Sequence, residues 1–195
     1  MTKFKVLIEG YAKKIKGGWR AASSTTFIES KGKRIIVDPG INRKRLLKEL
    51  EKQKLDVAKI DYVFMTHYHP DHNLLAGIFP NAKVLDDELM YANDYQTEHQ
   101  KVIPGTDIEI LSTPGHDLFH SSLVFPTDKG IVVVAGDVFW WADNEKRRTD
   151  KKSLLSRKDP FVKDKKALLQ SRQKLLTIAD WIIPGHGKIF KNQRR

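Results

Sequence analysis

Cysteine is absent from all 195 residues, which excludes disulfide bonds and any metal site built on thiolates. No apolar stretch approaches the roughly 18 residues needed to cross a bilayer. The opening segment, Met1-Thr2-Lys3-Phe4-Lys5, also lacks the long apolar region of an export signal. A soluble, cytoplasmic protein with no membrane partner is therefore expected. Acid is outnumbered, with 35 Lys and Arg against 24 Asp and Glu, for a formal charge of +11. The excess gathers at Lys146-Arg147-Arg148, Lys151-Lys152, Arg157-Lys158 and Lys163, Lys165 and Lys166. Such a stretch could steer a phosphate backbone, but a solvated face, or the lysine-rich surface of a heat-adapted protein, accounts for it more simply. No motif of a nucleic-acid-binding module is present.

What the chain does have is metal-capable side chains at the ends of apolar runs. His67-Tyr68-His69-Pro70-Asp71-His72 follows Tyr62-Val63-Phe64-Met65. Alternate residues of a strand point the same way, so His67 and His69 can aim at one point while the turn at Pro70 carries Asp71 and His72 to a second. His116 follows Thr113-Pro114-Gly115, Asp137 follows Ile131-Val132-Val133-Val134-Ala135-Gly136, and His186 follows Trp181-Ile182-Ile183-Pro184-Gly185. A preceding glycine lets the backbone approach closely, as a bound ion requires of its surroundings. A lone histidine of this kind is more often structural; seven ordered positions in one setting point to two adjacent metal ions.

The order H-x-H-x-D-H, then a distant His, Asp and His, resembles the metallo-β-lactamase fold superfamily over nearly the whole chain. The resemblance implies that His67, His69 and His116 hold one ion, that Asp71, His72 and His186 hold the second, and that Asp137 bridges them. Asp137 stands where some antibiotic-hydrolysing members carry cysteine. The segments 131–139 and 171–187 look like the closing half of small single-domain members, a group associated with RNA cleavage. The glyoxalase-like pattern T-P-G-H-T-x-G-H is broken here by Asp117 and Phe119, so His120 reads as a supporting residue rather than a ligand. His99 lies in a polar stretch with no strand-end setting and is expected on the surface.

An ion with an open position lowers the pKa of bound water from about 15.7 to near 7, so a hydroxide bridging two ions is the natural nucleophile. Asp71 is the carboxylate expected to orient it and handle its proton. The activity expected is hydrolysis of an ester, thioester, lactone or phosphodiester, on a small molecule or, alternatively, on RNA. Imidazole and carboxylate accept zinc, iron or manganese, and zinc is the first choice because it hydrolyses without redox chemistry. A mononuclear iron oxygenase of sulfur compounds would have no need of His72 and His186, whose presence argues against it.

A length of 195 residues suits one domain over 1–195. Strands are expected near 3–9, 25–29 and 34–37, with a turn at Ser30-Lys31-Gly32-Lys33 between the last two. A helix capped by Asn42 should bury Leu46, Leu47 and Leu50. After the first motif come a short helix beyond Asn73, a strand near 82–85 and a helix over 86–91. Strands near 107–111, 121–125 and 131–135 lead to a helix over 162–179 with Leu168, Leu175 and Leu176 inward, then a last strand at 181–183. This α/β pattern permits a four-layer αββα sandwich with the site along one edge. The glycine-rich, basic loop 10–20 corresponds by the resemblance to a hairpin that often overhangs the metals, which makes Tyr11 and Trp19 candidate substrate contacts. Trp140 and Trp141 read as wall or core.

Overall fold

The structure, a computed structural model, describes residues 1–193. Its first half runs β1 (Lys3–Ile8), β2 (Tyr11–Ile15), β3 (Gly18–Ala22), β4 (Thr25–Ser30), β5 (Lys33–Val37), α1 (Arg43–Lys52), β6 (Tyr62–Phe64), α2 (Pro70–Asn73), β7 (Lys83–Leu85), β8 (Leu89–Ala92) and β9 (Tyr95–Glu98). The second half runs β10 (Glu109–Ser112), β11 (Ser121–Thr127), β12 (Gly130–Trp140), α3 (Lys151–Leu155), α4 (Lys165–Ile178), β13 (Trp181–His186) and β14 (Phe190–Lys191). One sheet has the order β1-β4-β5-β6-β7-β8-β9 and the other β10-β11-β12-β13-β14, while β2 and β3 form a separate hairpin.

The sheets meet face to face. Ile28, Ile35, Phe64 and Leu85 of the first pack with Leu123, Phe125, Val132 and Ile183 of the second in one buried cluster. Helices close both outer faces. Leu46 and Leu50 of α1 cover Ile36 and Val63 of the first sheet. Leu168, Leu175 and Leu176 of α4 cover Val133 and Ile182 of the second. The αββα sandwich is thus the layering that lets each sheet bury both faces. No helix among the described residues is long and apolar enough to cross a membrane.

Local chemistry sets the element ends. Lys31 and Gly32, at φ 48° and 78°, turn β4 into β5. Asn42 caps α1 by accepting the Arg45 amide, and Asp164 caps α4 by accepting those of Lys166 and Ala167, so that helix starts three residues later than its apolar pattern suggested.

Several expectations are corrected. The segment 86–91 is not helical: Asp86 uses its carboxylate to accept the Glu88 and Leu89 amides in a turn, and the chain then forms the β8–β9 hairpin about Asn93, at φ 55°. His99 follows β9 directly and is half-buried, with Nε2 donating to the Asp86 carbonyl rather than facing solvent. Leu47 is 38% exposed, on the outer side of α1. The short helix expected beyond Asn73 is a 3-10 turn at Ala76–Ile78, but a further short helix, α2, lies inside the motif, and Asp137 lies within β12 rather than beyond its end. The 10–20 segment is a paired hairpin, as the resemblance implied, whereas α3 and β14 had no counterpart in the sequence reading.

Candidate metal centre

The parallel strands β5 and β6 end at the same edge, where the Asp38 amide donates to the Phe64 carbonyl. Asp38, at φ 48°, is buried and accepts from the Thr66 amide, the Thr66 hydroxyl and His72 Nδ1, each at 2.8 Å. One carboxylate thereby fixes both ends of the segment carrying His67, His69, Asp71 and His72. On the other sheet, β12 and β13 run parallel, with Gly136 opposite Pro184 and Trp140 opposite His186, which sets Asp137 beside His186.

All seven residues anticipated from the sequence converge, in two groups. His67, His69, His116 and Asp137 form the first; Asp71, His72 and His186 form the second. His69 Nδ1 lies 3.0 Å from His67 Nε2 and 3.1 Å from His116 Nε2, and Asp137 Oδ2 is 3.4 Å from His116 Nε2. In the second group His186 Nε2 is 3.4 Å from Asp71 Oδ2. Asp137 reaches this group too, with Oδ1 3.4 Å from His72 Nε2 and Oδ2 3.6 Å from His186 Nε2.

These donors fit metal ions. Ligands bound tetrahedrally at about 2.0–2.1 Å sit roughly 3.3–3.4 Å apart, close to the spacings found. His72 Nε2 and Asp137 Oδ1 are buried without a hydrogen-bond partner, a cost that a bound ion removes.

The far side of each ring explains its orientation. His72 Nδ1 donates to Asp38, His116 Nδ1 donates to Asp159 at 2.6 Å, and His186 Nδ1 donates to the carbonyls of Tyr11 and Ala22. His67 Nδ1 donates to Thr66 Oγ1, whose own proton goes to Asp38. Each of these rings thereby turns Nε2 toward the centre, the nitrogen that would bind an ion on losing any proton it carries, whereas His69 presents Nδ1. His120 supports rather than ligates, as expected. Its Nε2 accepts the Asp137 amide and its Nδ1 donates to Thr113 Oγ1, so no lone pair remains for an ion, and burial keeps the ring neutral by holding its pKa well down.

Charge is balanced within the cluster. Burial would push Asp137 up, but His186 and His72 hold it well below the usual carboxylate range. Burial lowers His67, whereas at His72 it is overcome by Asp137 and Asp38, which raise that ring well above its ordinary value.

Sequence reasoning missed two supports. Asp38 could have been found, since Asp38-Pro39-Gly40 shares the strand-end setting of the ligands. Asp159 offered no such signal, because it lies in an irregular segment 43 residues from the ring it holds. Arg172, buried in α4, secures that segment by donating to the carbonyls of Arg157 and Val138, and burial pulls its guanidinium down to about 10 against the opposing Asp159. Asp159→Asn should weaken metal binding at the first group by about 10–100-fold and leave the second unchanged, as read by chelator-competition titration.

A cavity of about 300 Å³ opens over the centre, with His69, Asp71, Asp137 and His186 among its lining and Trp19, Trp140 and Phe161 in its wall. Trp140 is wall and Trp141 is core, as anticipated. Trp19 lines the cavity with Ala12 and Ala21, its neighbours on one face of the hairpin. Tyr11 is displaced from its expected role. It is one residue out of step with Ala12 and so faces the other way, where the guanidinium groups of Arg20 and Arg45 lie over its ring.

Known proteins are similar in sequence and in fold. The family model of the Metallo-beta-lactamase superfamily matches residues 18–86. Metallo-beta-lactamase domain-containing protein 1 of Xenopus laevis is 34% identical over 95% of this chain and 80% of its own length. The Mus musculus protein of that name is 34% identical over 87% of this chain and 65% of its own length. Among solved structures, a putative metallo-β-lactamase from Thermotoga maritima superposes with a TM-score of 0.74 at 18% identity, covering 97% of this chain and 99% of that one. The dizinc quorum-quenching lactonase AidC superposes with a TM-score of 0.63 at 16% identity, covering 87% of this chain and 74% of that one. The structural likenesses establish the fold, and the 34% identity to the Xenopus laevis protein establishes that the chain belongs to the metallo-β-lactamase superfamily.

Proposed function

We propose that this protein is a dinuclear metal-dependent hydrolase in which His67, His69 and His116 hold one divalent ion, Asp71, His72 and His186 hold the other, and Asp137 lies between them. The observation that carries this reading is the reach of one carboxylate into both groups, 3.4 Å from His116 and 3.4 Å from His72. When bound, such a pair supplies an activated water at neutral pH and positive charge against a developing oxyanion. Zinc suits the imidazole and carboxylate donors, and iron or manganese would fit the same set.

The remaining work falls to the chain. Asp137 stays ionised, and the His120 ring fixes its amide. Asp71 is the half-buried acid that also lines the cavity, which places it to hold a proton taken from the attacking water. The carbonyls of Tyr11 and Ala22 orient His186, so the hairpin contributes to the centre as well as to its cover. A one-ion oxygenase is disfavoured by the convergence of His72 and His186 on Asp137.

The test is reconstitution of metal-free protein with zinc, manganese or ferrous iron, followed by assay on a lactone, a thioester, a cephalosporin, bis(4-nitrophenyl) phosphate and RNA. Hydrolysis that appears with metal and vanishes with chelator is expected. Metal-independent turnover, or none with any metal, would overturn the reading.

A further inference from the structure

We infer that the part of the substrate away from the reacting bond is a neutral, apolar acyl or aryl group seated against Trp19, Trp140 and Phe161, an inference that rests on the hydrolase reading above. The cavity over the centre holds about 300 Å³, at the small end of the roughly 300–1,000 Å³ of ligand sites. Among the described residues no lysine or arginine lines it, and Arg157, whose guanidinium lies 5.9 Å over the Trp140 ring, is paired with Glu145. Its titratable lining residues, His69, Asp71, Asp137 and His186, all belong to the two metal-capable groups. A phosphate or carboxylate elsewhere on the substrate would find no cation in this wall, and a desolvated charge without a partner is strongly disfavoured. The basic stretch around Lys146 and Arg148 lines a different depression.

The three rings pack against one another. Trp19 and Phe161 have centroids 5.8 Å apart, Trp140 and Phe161 5.9 Å, and Trp19 and Trp140 6.3 Å. At these separations the rings touch one another and form a continuous apolar wall. The wall also spans the centre: Phe161 packs on His69 at 6.2 Å, and Trp140 on His186 at 6.0 Å. An acyl chain lying along it would therefore present its carbonyl between the two groups. Trp19 and Phe161 remain 39% and 40% exposed, large apolar surface that such a ligand would remove from water.

The experiment measures straight-chain neutral amides, from butanamide to octanamide, binding to the full metal-free chain by calorimetry. In parallel, kcat/KM of the zinc-loaded protein is measured on 4-nitrophenyl esters of matching length. Affinity and kcat/KM should each rise about four-fold per added methylene. Trp19→Ala and Phe161→Ala, both at exposed rings, should flatten this slope. Binding that rises with chain length in the absence of any turnover would support the inference and sink the hydrolase reading. Affinity or kcat/KM independent of chain length, or tighter binding of an amide ending in a carboxylate than of the neutral amide of equal length, would overturn the inference whether or not the protein is a hydrolase.

Discussion

Gly185→Ala should empty the metal centre while the protein stays folded. A Cβ at this position would stand 1.8 Å from Asp137 Oδ1 and 3.0 Å from its Cγ, far inside contact distance. Gly185 needs no left-handed backbone, so the methyl group meets that carboxylate first, with the Gly136 carbonyl carbon next at 3.0 Å. The parallel pairing of β12 and β13 holds both backbones, and Asp137 must therefore swing away from the two groups it joins. Metal affinity should fall by at least about 100-fold, the scale of losing a well-placed supporting contact or more. Activity should fall to background with an unchanged circular-dichroism spectrum. Retention of two ions at wild-type affinity would show that Asp137 does not link the groups.

Asp71→Ala and His186→Ala should each release one metal equivalent and most of the turnover. Their side chains lie 3.4 Å apart in the second group, away from the His67, His69 and His116 cluster, so the first ion should remain. The loss of kcat should reach about 10²–10⁴-fold for Asp71→Ala if it also carries the proton. Conversely, His69→Ala should release the other ion. Metal analysis after gel filtration separates the cases, and full activity in both second-group variants would rule out a two-ion mechanism.

The ligands were legible because a metal site constrains residue type as well as place. Histidine and aspartate stand out against the apolar runs before them, and that pattern recurs at His67, His116, Asp137 and His186, although Asp137 proves to lie inside β12. The layers were legible for a related reason, since Leu46 and Leu50, and Leu168, Leu175 and Leu176, fall on single helix faces. What escaped depends on contacts distant in sequence or on parity. Asp159 supports His116 across 43 residues, and an acid that accepts one ring proton looks like any other surface acid until the chain is folded. Phe161 reaches the cavity by the same segment. Tyr11 and Trp19 looked equivalent, yet the hairpin register turns them to opposite faces, and a one-residue change of register would have reversed the outcome. The segment 86–91 was misread because Asp86 is as good a turn residue as a helix cap. Its bonds from Tyr68 and Tyr91, which hold the extended form, are invisible in the sequence.

The central claim, two ions joined by Asp137, is tested most directly by anomalous diffraction at the zinc edge from crystals of zinc-reconstituted protein. The account predicts two peaks, one within bonding distance of His67, His69 and His116 and one of Asp71, His72 and His186, with the Asp137 carboxylate between them. A single peak, or zinc bound anywhere other than these groups, would contradict it.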